Sequence, residues 1–136
     1  MACADTTLLI DLSGRAGASL RRRAAKKLRE IQAQGGVLST TRFNVAELYV
    51  GVHKARDRQA EEQRVQIVLA GFEVIEFGDR AAHQFAQITA RLHAQGRPVG
   101  DMDVLIAATA MAAGERLITR DGRHFANIPG LVVEEY

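Results

Sequence analysis

Apolar positions along this chain alternate between short extended runs and helical stripes. Leu20, Ala24, Leu28 and Ile31 recur every three or four residues and predict a helix from about Gly17 to Gln34, stopped by Gly35-Gly36. Val37-Leu38-Ser39 reads as a short buried strand. Thr41 is placed to cap a helix that packs through Val45, Leu48, Tyr49 and Val52. Charged residues from Lys54 to Arg64 surround a turn, after which Val65 to Leu69 is helical. Phe72 to Phe77 gives the clearest strand, and Asp79 then caps a helix with Ala82, Phe85, Ile88 and Leu92 inward, ending near Gly96-Arg97-Pro98. Asp101 to Ala113 is apolar nearly all round, which predicts a closely packed central helix ended by Gly114. Leu117-Ile118-Thr119 and Leu131-Val132-Val133 are the last predicted strands, the second following the Pro129-Gly130 turn.

Strands separated by helices imply an α/β fold with parallel pairing and helices on both faces. In such folds sites form beyond the carboxyl ends of the strands. Two readings of the first residues are open. Either Thr7 to Leu12 is a strand and Asp5 begins it, or Ala2-Cys3-Ala4 is the strand and Thr6 opens a helix through Leu12. Only the second puts Asp5 at a strand's carboxyl end.

Four acids stand out because each is embedded in apolar sequence: Asp5, Glu47, Asp103 and Asp121. Burying an unpaired carboxylate is costly, so the four call for a common explanation, and a divalent cation is the simplest. Asp121 directly follows a predicted strand. Asp103 falls in the first turn of a predicted helix, where free N–H groups favour an anion. A cap or an exposed charge is the plain reading of each acid alone. Asp101 has two open readings, a cap for the same helix or an outer ligand.

At 136 residues the chain suits one domain, expected over residues 1–136, with 47% hydrophobic and 25% charged residues as in ordinary globular proteins. No apolar run approaches the roughly 20 residues that span a bilayer, and no signal-peptide pattern opens the chain. A lone cysteine, Cys3, excludes an internal disulfide and suits a reducing cytoplasm, where it reads as a small core residue. The net charge is +2, but setting the four acids aside from the 16 leaves 18 cations against 12 acids. An acidic pocket within a basic surface is what a polyanion-binding protein would carry. Arg21-Arg22-Arg23 with Lys26, Lys27 and Arg29 make a basic helix face, equally a phosphate surface or a solvated one. His53, His83, His93 and His124 lack ligand spacing, and His124 is expected to pack in the turn after Asp121.

Several of these motifs together resemble the PIN domain family, and within it the VapC-type toxins of toxin–antitoxin pairs. The matching pieces are Asp5-Thr6-Thr7 with Leu9-Ile10-Asp11, Asn44-Val45-Ala46-Glu47-Leu48 with Gly51, Gly100 to Ala110, Ile118-Thr119-Arg120-Asp121 with His124-Phe125, and Ile128-Pro129-Gly130-Leu131. The resemblance runs from end to end. It departs at Thr7, where relatives often carry asparagine or serine, and it retains aspartate at Asp121, where some carry asparagine.

The resemblance implies a PIN-like three-layer α/β/α sandwich around a mostly parallel sheet of four to five strands, with Asp5 ending a short first strand. It implies a metal-dependent endoribonuclease using metal-activated water, and a cytoplasmic homodimer restrained by a cognate VapB-like antitoxin. Asp5 and Asp103 become direct metal ligands, with Glu47 and Asp121 binding directly or through water, joined by Asp101 on its outer-ligand reading. Thr6 and Thr119 are expected to support them. Oxygen donors suit Mg²⁺, with Mn²⁺ able to substitute, rather than zinc. Carboxylates within a few ångströms of one another repel by about 4 kcal/mol per pair at roughly 4 Å and an effective dielectric near 20, which a cation would relieve. Arg15, Arg97, Arg120 and Arg123 are the RNA-binding candidates. Asp11 is expected to be exposed or paired with an arginine. Two other classes compete: a PIN-fold RNA- or protein-binding module without catalysis, and a small-molecule phosphohydrolase, which lacks its Asp-x-Asp strand signature here.

Overall fold

A three-residue strand of the smallest apolar side chains, Ala2-Cys3-Ala4, forms the centre of the molecule and is almost wholly buried. The computed structural model describes residues 2–136; Met1, the first residue of the expected domain, lies outside them. In chain order the elements are β1 (Ala2–Ala4), α1 (Thr6–Ser13), α2 (Ala18–Ala33), β2 (Leu38–Thr41), α3 (Arg42–Lys54), α4 (Arg58–Leu69), β3 (Glu73–Ile75), α5 (Asp79–Ala94), α6 (Asp101–Ala112), β4 (Arg116–Thr119) and β5 (Val133–Glu135), with a 3₁₀ turn over Gly122–Phe125.

All pairings are parallel, in the order β3-β2-β1-β4-β5. β1 therefore sits between β2, which follows it in the chain, and β4, which the chain reaches only after crossing the sheet. The order reverses between β1 and β4, and folds of this kind form their sites beyond the carboxyl ends of the strands at that point. Strand alternation divides the core. Ala2, Ala4 and Ile118 face a layer with Leu8, Leu9, Ala24, Ile31, Leu48, Val52 and Val65 from α1 to α4. Cys3 and Leu117 face the opposite layer, built on Ile88, Leu92, Val104, Ile106 and Ala107 from α5 and α6. This is the expected α/β/α sandwich with five strands, and the short β1 with a helix from Thr6 is the second reading of the first residues.

Differences from the sequence reading have local causes. The Phe72–Phe77 strand shrinks to Glu73–Ile75 because it is an edge strand with one pairing partner; Phe77 leaves the sheet to meet Phe43 edge-on, 5.5 Å between ring centres. The last strand lies two residues later than expected. Gly130, at φ 82°, turns the chain, and Leu131 packs into the second core before pairing begins at Val133. Asp79 is the first helical residue of α5 and makes no cap, Gly78 standing at the cap position. With the register so set, Ala81, Ile88 and Leu92 share the buried stripe and Ala82 faces outward. Thr41 does cap α3, in a reciprocal box with Asn44. β2 carries Ser39-Thr40-Thr41 buried because the hydroxyls are satisfied: Ser39 donates to the Glu115 carboxylate and Thr40 to the Ala4 carbonyl at 2.8 Å.

Candidate active site

The carboxyl ends of β1 and β4, the start of α6 and one face of α3 carry the four acids. Asp5 directly follows β1, held by its own N–H to the Ile118 carbonyl at 2.9 Å, and is 7% exposed. It occupies the cap position of α1 but spends no side-chain oxygen on capping. Instead Asp5 Oδ1 accepts from Asn44 Nδ2 at 3.2 Å and Oδ2 from Thr119 Oγ1 at 2.8 Å. Glu47, half-buried on α3, accepts from Thr6 Oγ1 at 2.7 Å, and Thr6 accepts from Asn44 Nδ2 at 3.0 Å. Asn44 is fully buried, and its orientation follows from its partners. The Thr41 N–H can only donate, at 3.2 Å, so it must meet Oδ1; an ionised Asp5 can only accept, so it meets Nδ2.

Asp103 and Asp121 are joined by His124, whose Nδ1 lies 3.5 Å from Asp103 and Nε2 3.1 Å from Asp121. The Asp121 N–H donates to Thr119 Oγ1 at 3.2 Å, tying that end of the site back to Asp5.

Charge confirms which acids face one another. Burial pushes the Asp5 carboxyl above its ordinary value and the Asp103 carboxylate adds to the rise, against hydrogen bonds from Thr119, the Thr6 backbone and Asn44 that hold it down. Burial likewise raises Glu47, with Asp5 and Asp103 adding to it and the Thr6 hydroxyl opposing. Among the described residues no lysine or arginine pairs with Asp5 or Glu47. The expectation of four acids gathered within a few ångströms is too tight. Among the described residues no three Asp, Glu, His or Cys side chains already form a metal cage. The acids are held apart by protein groups: Asp5 accepts from Asn44 and Thr119, Glu47 accepts from Thr6, and His124 lies between Asp103 and Asp121. The donor set still fits a hard divalent cation, since it offers carboxylate oxygens in mutual repulsion with Asp5 and Glu47 lacking a basic partner.

The PIN domain family model matches residues 2–131. The chain belongs to the PIN domain family. It is 31% identical over 104 residues to the tRNA(fMet)-specific endonuclease VapC of Salmonella typhimurium, covering 73% of this chain and 79% of that protein. Ribonuclease VapC2 of Rickettsia felis is 27% identical over 107 residues, covering 79% of this chain and 80% of the relative. Among solved structures, DNA-bound VapBC from Salmonella typhimurium superposes with a TM-score of 0.83 at 26% identity, over 99% of this chain and 98% of the other.

Within this PIN domain the remaining expected site residues fall as follows. Thr6 donates to Glu47 and Thr119 to Asp5. Asp101 is exposed in the first turn of α6, where Gly100 holds the cap position, so the cap reading of Asp101 is lost. Asp11 is wholly buried and paired with Arg120, not exposed. Arg120 is correspondingly engaged by Asp11 while staying exposed to solvent. Arg15 reaches Glu61 at 3.6 Å across Gly51, where an added Cβ would meet its Nη1 at 2.9 Å. Arg97 is exposed, and Arg123 lies 3.4 Å from Asp121. Asn44 and Thr7 went unassigned from sequence, and His124, expected to pack in the turn, instead stays exposed beside Asp103 and Asp121. The Thr41-x-x-Asn44 spacing, that of a capping box, was the available signal for the first.

Proposed function

We propose that this chain is a divalent-metal-dependent endoribonuclease, the toxin half of a VapBC-like toxin–antitoxin pair. The observation that carries this reading is the trio Asp5, Glu47 and Asp103, whose carboxylates repel one another beside the end of β1, with no lysine or arginine partner on Asp5 or Glu47 among the described residues. The names of its relatives, a ribonuclease and a transfer-RNA endonuclease, support the substrate class, and the VapBC complex from Salmonella supports an antitoxin partner. Asp5 and Asp103 would hold the metal directly, with Glu47, Asp121 and Asp101 binding directly or through water. Mg²⁺ fits these oxygens, and Mn²⁺ should substitute. A bound cation there supplies Lewis acidity toward the phosphate and lowers the pKa of water.

The chain's own residues divide the remaining tasks. Thr119 and Asn44 fix the two oxygens of Asp5, Thr6 fixes Glu47, and His124 spaces Asp103 from Asp121. Arg15, Arg97 and Arg123 are exposed and would contact RNA phosphates, with Arg120 contributing what its pairing with Asp11 leaves free. A homodimer in the cytoplasm, restrained by its antitoxin until needed, completes the proposal. Among the described residues no helix is long and apolar enough to cross a membrane.

The direct test incubates antitoxin-free protein with total RNA plus Mg²⁺, Mn²⁺ or chelator. Cleavage with metal and none with chelator is expected; folded protein that binds RNA but never cuts it would return the non-catalytic module. A second expectation concerns stability. Asp5 and Glu47 have folded-state pKa values above their unfolded ones, so the folded protein takes up protons first and protonation stabilises it. Metal-free protein should therefore gain melting temperature as pH falls from neutral toward the ordinary carboxylate range, and lose it as pH rises through the raised values. Saturating Mn²⁺ should remove that gain and raise the melting point at neutral pH by several degrees, since a roughly hundredfold excess over Kd contributes about 2.7 kcal/mol. Identical melting curves with and without millimolar Mn²⁺ would count against the site.

A further inference from the structure

Asp11 is the most deeply buried acid of the chain outside the site, and the nuclease reading gives it no task. It accepts from Arg120 Nε at 2.8 Å and, on the same Oδ2, from the Tyr136 hydroxyl at 2.7 Å. Arg120 Nη2 reaches its other oxygen at 3.4 Å. Tyr136 is itself held down, its backbone carbonyl accepting from Arg23 Nη2 at 2.7 Å. Burial and the adjoining Asp11 carboxylate push the Tyr136 phenol well above its ordinary value, so it stays a donor. A buried ion pair of this kind is weak evidence for stability, because apolar side chains of the same volume usually serve as well. Its retention calls for another explanation, and the hydrogen bonds leading away from it supply one.

The direction of those bonds can be worked out atom by atom. Thr119 Oγ1 lies 2.8 Å from Asp5 Oδ2, which as a carboxylate only accepts, so Thr119 gives its one proton to Asp5. Thr7 Oγ1 lies 3.2 Å from Thr119 Oγ1 and 3.5 Å from Asp5 Oδ2, and since Thr119 has spent its proton and Asp5 only accepts, Thr7 is the donor toward both. Thr7 in turn accepts the Arg120 N–H at 3.0 Å. Every donor therefore points along one line toward Asp5, and such chains polarise one another in a low-dielectric interior. At the far end of the line Arg120 is held through its side chain by Asp11 and Tyr136.

We propose that Tyr136 and Asp11 form a clamp on Arg120 that sets the orientation of the Asp5 carboxylate through Thr7 and Thr119, making them positioning residues for the metal site. This rests on the nuclease reading of that site. The clamp touches neither metal nor RNA; it acts by keeping one oxygen of Asp5 aimed, as partners behind a ligand do.

Tyr136→Phe removes one hydroxyl and keeps the ring, so it isolates the clamp from packing. Mn²⁺ affinity, read by calorimetry, should weaken about tenfold, and kcat for RNA cleavage should fall alike with KM unchanged. Asp11→Asn should act in the same direction more strongly. Thr7→Val, of the same shape, should reproduce the loss, and Thr7→Ser should restore both readouts. Variants that melt lower yet keep wild-type Mn²⁺ affinity and kcat would reduce the clamp to a fold support and overturn the proposal. The wild-type protein alone decides the underlying reading: if it neither binds Mn²⁺ nor cuts RNA, the nuclease assignment fails and the clamp with it.

Discussion

Asp5→Asn should abolish RNA cleavage, by about 10³-fold or more, while leaving the metal-free protein as stable as wild type or more so. The two effects have opposite signs because the carboxylate is a liability to the fold and an asset to the site. Asp5 is buried, its ionisation is opposed by desolvation and by Asp103, and among the described residues it pairs with no lysine or arginine. Replacing it with the neutral amide removes that repulsion and keeps an oxygen for Asn44 Nδ2, now 3.2 Å away. On the functional side a metal ligand is lost, and several kcal/mol of charge stabilisation at the transition state correspond to about tenfold in rate for each 1.36 kcal/mol. Asp103→Asn should behave alike. Melting temperature and single-turnover cleavage measured on one preparation separate the two effects. Wild-type cleavage by Asp5→Asn protein would end the mechanism, and a collapse of stability would mean that Asp5 is a structural acid.

How far sequence reaches is visible in particular residues. The Thr41 cap and the Gly114 stop of α6, at φ 72°, were legible because each depends on a few neighbours in the chain. The two cores were legible as helical stripes for the same reason. Asp5 was ambiguous from pattern alone, since a strand of three small residues carries almost no periodic signal and the resemblance to a known family had to settle it. Phe72 to Phe77 misled in the opposite sense: its alternating pattern fits a strand, but pairing on one side only shortened it. The four acids were legible as oddities, and their family motifs gave the ligand expectation. Their spacing was not, because it is set by donors that lie 39 to 114 positions away, as Asn44 and Thr119 lie from Asp5. Tyr136 and Asp11 are 125 positions apart, and nothing in either one's neighbourhood announces the other.

Asn44→Ala should destabilise the protein by roughly 2–4 kcal/mol and impair cleavage as well, the largest stability effect expected at the site. The side chain closes the capping box of α3 and donates to Asp5 and Thr6 in the same stroke. Its loss orphans the buried Thr41 N–H, which costs about 1–3 kcal/mol, and weakens a cap worth about 0.5–2 kcal/mol. Denaturant unfolding at neutral pH measures the sum, and a midpoint equal to wild type would show that water replaces the amide without loss. Asn44→Asp sharpens the test. It preserves the oxygen that Thr41 requires, so the cap survives, but it faces Asp5 with a second carboxylate where wild type has a donor. That variant should be strongly destabilised at neutral pH and should recover as pH falls and one of the pair takes up a proton. Its stability should therefore climb toward that of wild type in acid, whereas Asn44→Ala, having lost the cap outright, should stay low at both ends.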